Sequence, residues 1–167
     1  MATLVAVPLA LVAGLVVFGL RGGSADEPAA SPRASSGGPV VVTAPPSAAA
    51  GTEARCATLL GALPTTLDGR RARAVSTAPD RVVAWGDPPV VLRCGVPRVA
   101  VPPDTNKQFA INGVRWLAAA RGSDVVFTTT DRAVPVEVTV PAHTATNPAD
   151  VVAELSKPVA ATIPATG

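Results

Sequence analysis

The chain has 167 residues, a formal charge of +2, 48% hydrophobic and 3% aromatic content, and no tyrosine. Twelve arginines and two lysines, Lys107 and Lys157, are nearly cancelled by 12 acidic residues, which argues against a nucleic-acid partner. Two cysteines are too few for a thiolate zinc cage, and His143, the only histidine, excludes a multi-histidine metal site.

Residues 2–20, ATLVAVPLALVAGLVVFGL, carry no charge. As a helix they would rise roughly 28 Å, close to the hydrocarbon thickness of a bilayer. Nothing downstream is large enough to enclose an all-apolar helix. Residues 1–21 therefore read as an export signal, a membrane anchor, or both. No basic residue precedes the apolar run, and Gly23-Ser24-Ala25 only loosely matches a cleavage site. The expectation is a single-pass anchor with the body outside the cytoplasm, or alternatively secretion after cleavage.

Residues 22–38, GGSADEPAASPRASSGG, cannot bury enough apolar surface to offset their ordering entropy and read as a disordered tether. A single extracytoplasmic domain is expected over residues 39–164. It opens with the β-branched run 40–43, flanked by Pro39 and by Pro45-Pro46, which suits an edge strand.

A helix is predicted over residues 53–63, capped by Thr52 and ended by Pro64. Cys56, Leu59, Leu60 and Leu63 fall at helical spacing on one face. The Arg-rich stretch TTLDGRRARAVSTAPD then reads as a polar connection. Its Arg70, Arg71 and Arg73 suit either a solvated loop or an anionic surface contact.

Two extended runs follow, 82–85 and 90–96, joined by Gly86-Asp87-Pro88-Pro89. In the second, Val90, Leu92, Cys94 and Val96 share a face, and Arg93 points the other way. After a polar loop, Asn112-Gly113 marks a tight turn. Strands are predicted at 114–119, 125–130 and 134–140, with spacers short enough for an antiparallel meander. In the last, Val134, Val136, Val138 and Val140 alternate with Pro135, Glu137 and Thr139.

A second helix starts near Pro148, with Asn147 as cap and Asp150 in the first turn. Val151, Val152 and Leu155 form its apolar stripe, Pro158 kinks or stops it, and the tail frays. The expected fold is α+β: an antiparallel sheet of about five or six strands packed with two helices, preceded by one transmembrane or signal helix.

Cys56 and Cys94 sit on the core-facing sides of their elements, and an even count in an exported chain suggests a disulfide. Two separate buried thiols are the alternative; without C-x-x-C, a redox pair is disfavoured.

Catalytic signatures are missing: no G-x-S-x-G, H-E-x-x-H, phosphate loop or dinucleotide fingerprint occurs. No cofactor is expected. Trp85, Asp87, Arg93 and Trp116 form the densest block. Either the indoles fill an aromatic-poor core, or they line a groove with Asp87 and Arg93 at its rim. In the second case Arg93 could pair with Asp87, with Glu137 or with an anionic ligand.

The segments CATLLGALP, AWGDPPVVLRCGV, INGVRW and FTTTDRAVPVEVTVP together resemble a family of exported actinobacterial proteins of unknown function. The resemblance covers about residues 40–160. It implies that Cys56, Trp85, Gly86, Asp87, Pro88, Arg93, Cys94, Gly95, Asn112, Gly113 and Trp116 are family positions, and it implies no activity. Three functions remain open: a non-enzymatic envelope domain binding a protein or cell-wall component, a small enzyme-like module built on Asp87 and Arg93, and a purely structural or assembly protein.

Overall fold

The computed structural model describes residues 38–46, 50–145 and 147–166. The expected membrane segment, and the expected tether up to residue 37, lie outside the described residues. Among the described residues no helix is long and apolar enough to cross a membrane.

The fold is α+β. Helix α1 (Thr52–Ala62) is followed by β1 (Thr66–Leu67), β2 (Arg70–Arg73), β3 (Val82–Trp85), β4 (Val90–Cys94), β5 (Gln108–Ile111), β6 (Val114–Arg121), β7 (Asp124–Thr129) and β8 (Val136–Val140). Helix α2 (Pro148–Thr162) closes the series. The sheet has eight strands in the order β1-β2-β3-β4-β8-β7-β6-β5, two more than the upper expectation. Every neighbouring pair is antiparallel. The chain thus lays down one four-strand meander, crosses to the far edge through residues 95–107, and meanders back until β8 pairs with β4.

The two added hairpins share one turn chemistry. Asp68 and Gly69 have φ of 47° and 73°, and Asn112 and Gly113 have 48° and 77°. Positive φ at both central residues is the two-residue hairpin geometry that matches strand twist. The Arg-rich connection therefore contains strands β1 and β2, and the polar loop before Asn112 contains β5.

Side-chain alternation divides the sheet into two faces. The inner face carries Trp85, Leu92, Cys94, Val136, Val138, Phe127, Val114 and Trp116, all in one buried cluster with both helices. From α1 come Cys56 and Leu59; from α2 come Val151, Val152, Leu155 and Val159. Asn147 caps α2 as expected, its side chain accepting from the Ala149 N–H at 3.1 Å. Pro158 neither stops nor ends the helix, which runs on to Thr162. The buried stripe extends through Val159 to Ile163, and this packing outweighs the one backbone hydrogen bond that proline removes.

The tail is tied down rather than frayed. Ala133 N–H donates to Pro164 O at 2.9 Å, and Thr166 N–H donates to Asp131 O at 2.8 Å. Arg132, 5% exposed, reaches Ile163 O and Gly113 O, so the tail and the β5–β6 turn share one buried cation.

Cys56 and Cys94 form a disulfide that joins α1 to the centre of the sheet, with Cα atoms 5.7 Å apart. It closes 38 residues of sequence separation around the β1–β4 meander.

Candidate functional site

Both indoles are completely buried, on the inner face. Trp85 Nε1–H donates to Pro64 O at 2.9 Å. Trp116 Nε1–H donates to Ser156 Oγ at 2.9 Å, and that hydroxyl donates onward to Val152 O. Each polar indole atom is satisfied within the core, the condition a buried tryptophan needs. Neither ring faces a groove in this conformation.

Asp87 and Arg93 are not brought together. Asp87 sits in the β3–β4 turn, whose Asp87–Pro88 peptide bond is cis, and its 66%-exposed side chain lies 3.7 Å from Arg73. Arg93 projects from β4 on the outer face and bonds Glu137 of β8 at 2.5 Å. The register explains the choice: Arg93 and Glu137 are direct cross-strand partners. Arg121 takes the other Glu137 oxygen at 3.2 Å. Glu137, on the outward side of β8 as its alternation predicts, is 9% exposed because two guanidinium groups enclose it.

The outer face is crossed by residues 38–46. Instead of an edge strand, run 40–43 supplies one parallel bridge, Val40 to Val75. Val40 packs with Val82, Ala84 and Val91 in a second, smaller cluster. Three arginines hold the backbone of this strap: Arg73 donates to Gly38 O at 3.0 Å, Arg81 to Pro46 O at 2.9 Å, and Arg93 to Thr43 O at 3.4 Å.

A feature the sequence reading missed lies on the inner face beyond the helices. An open pocket of about 670 Å³ is bounded by β5, β6, β7 and the first residues of α2. That volume falls within the usual range for small-molecule sites. Phe109, Ile111, Ala118, Val125 and Phe127 form its apolar floor and wall. It exists because β6 follows Trp116 with Leu117-Ala118-Ala119-Ala120, which puts a methyl group where a large side chain would fill the gap. Phe109, the direct partner of Trp116, remains 46% exposed at the mouth. The available signal was the pair of alternate alanines after a core tryptophan, set against Gln108-Phe109-Ala110-Ile111.

Among the described residues no group of three His, Cys, Asp or Glu side chains could hold a metal ion. His143 lies in the loop before α2 with φ of 64°.

Fold and site together define a small, disulfide-stapled α+β domain with an eight-stranded antiparallel sheet, two helices on one face and an apolar pocket at one edge. Residues 5–167 match the family described as protein of unknown function (DUF3515), and the chain belongs to that family. No curated protein and no solved structure matches it.

Proposed function

We propose that this chain is a non-enzymatic binding domain of the cell envelope, attached to the membrane through residues 2–20 or secreted. It takes its envelope partner at the pocket beneath β5, not at the Trp85–Trp116 block of the sequence reading. The observation that carries this reading is an open apolar pocket with Phe109 held half-exposed at its mouth. Large apolar side chains are left in such a position at a cost in solvation, and concave apolar sites with an aromatic rim are where ligands bind. The disulfide supports an oxidising compartment for the body.

The test places a photoreactive residue at position 109 of the full chain in intact cells, with position 41, exposed to 79%, as control. A saturable adduct at 109 and none at 41 is expected. The same adducts at both positions would remove the reading. Protease added to spheroplasts should digest the body without lysis; protection until lysis would place it inside.

A structural or assembly role is the second reading. The burial of both tryptophans favours it, since the most distinctive residues of the chain then serve packing alone. Full complementation of a deletion strain by Phe109→Asp would select this alternative.

A further inference from the structure

We infer that the pocket beneath β5 takes a single-chain anionic amphiphile. The alkyl tail lies on Phe109, Ile111, Ala118 and Phe127, and the acidic head lies at the Lys107 ammonium. This deepens the binding reading above and rests on it.

The tail follows from what the pocket lacks. Its two polar side chains, both neutral amides, each spend hydrogen bonds within the protein. Gln108 Nε2–H donates to Thr130 Oγ1 at 2.9 Å on the other face of the sheet. Asn147 Oδ1 accepts from Ala149 N–H at 3.1 Å, and its Nδ2–H donates to Asp150 at 3.3 Å. A sugar or nucleotide would meet two neutral amides on an otherwise apolar lining, too few to replace its water partners. An alkyl chain needs no such partner, and each methylene it buries tightens binding roughly fourfold.

The head follows from charge. Ala118 N–H donates to Lys107 O at 2.8 Å, so Lys107 stands opposite a residue that lines the pocket. Period-two alternation puts its side chain on the same face as Phe109. Lys107 is exposed and enters no ion pair among the described residues. The Asp150 carboxylate beside the pocket accepts from Asn147 Nδ2–H and lies in the first turn of α2, where the positive end of the helix offsets its charge. A cation beside an apolar pocket complements a carboxylate or phosphate joined to a hydrocarbon tail. We commit to the free monomer rather than a two-tailed bilayer lipid, because the lining offers one apolar patch beside one cation.

The test uses the full chain in nanodiscs of zwitterionic lipid, with Trp116 fluorescence as reporter. Trp116 pairs directly with Phe109, whereas Trp85 lies on β3 in the other meander. Monomeric brominated dodecanoate should quench one tryptophan saturably. Affinity should rise on the order of tenfold for each two methylenes added to the acid. Ala118→Leu, which puts an isobutyl group on the floor where the tail lies, should weaken quenching several-fold. Lys107→Glu should weaken dodecanoate several-fold and favour the dodecyltrimethylammonium homologue. Calorimetric titration of the unmodified chain with the same acids provides a readout that needs no variant to fold.

The inference is overturned by quenching that ignores tail length, by equal affinity for both head charges, or by a ligand-free chain that is a dimer in solution and that Phe109→Asp dissociates. Quenching by brominated phosphatidylglycerol in the disc, with no monomer added, would assign the pocket to a bilayer lipid and overturn the commitment to a free amphiphile. If no acid binds while the adduct at position 109 persists, the amphiphile falls and the site stands. If both vanish, both fall.

Discussion

The face of the sheet under α1 and α2 is closed by apolar side chains, whereas the face under residues 38–46 is closed by arginines reaching backbone carbonyls. The inner cluster holds both tryptophans and the disulfide. The outer cluster is four small residues, Val40, Val82, Ala84 and Val91, beside the Arg93–Glu137–Arg121 network. Apolar burial scales with area, so the inner face carries most of the stability. The largely buried Arg93–Glu137 pair offsets much of its attraction with desolvation, and the outer face instead fixes where the strap runs. A strand flanked by both environments buries alternate residues for different reasons. Val90, Leu92 and Cys94 are buried by helices, and Val91 is buried by a strap.

The contrast breaks most visibly at Trp116. Trp116→Ala should lower the unfolding free energy by about 3–5 kcal/mol, read from the urea midpoint at constant slope. Removing the disulfide by Cys56→Ser with Cys94→Ser should cost about 4 kcal/mol in the chain-entropy account, read as a lower thermal midpoint that reductant no longer changes. On the outer face, Glu137→Gln leaves Arg93 with a weaker partner, and a loss of about 1–2 kcal/mol is expected by the same denaturation. A loss there as large as at Trp116 would show that the two faces are energetically equal. Phe109→Ala should be the smallest, within about 0.5 kcal/mol, because nearly half of that side chain is already in water. A larger effect would mean that the pocket mouth is part of the core.

The period-based elements were legible: α1 from Cys56, Leu59 and Pro64, the valine strands β3, β4 and β6–β8, and the Asn147-Pro148 start of α2. The β1–β2 hairpin was not, because three arginines in four residues, Arg70, Arg71 and Arg73, outweighed an Asp68-Gly69 turn of the same type as Asn112-Gly113. Strand β5 was lost among prolines and polar residues, and an edge strand of four residues has no buried alternation to display. That the helix continues past Pro158 was not legible, because local backbone cost was weighed without the buried Val159 and Ile163 beyond it. For the site, the block around Trp85 was found but not its direction. Two tryptophans and an arginine near one turn read alike whether the rings point into a core or a groove.

The sequence alone determined the α+β class, the alternation that makes two faces, and a cysteine pair on core-facing positions, because these follow from local periodicity and turn chemistry. Tertiary structure decided that Arg93 meets Glu137 rather than Asp87, that the strap crosses a face rather than an edge, and that the opening lies beside Phe109. Those outcomes depend on which strands become neighbours and in what register. Pairing across 44 residues of chain, as between Arg93 and Glu137, is set by the energy of the whole packed sheet and leaves no signal at either position by itself.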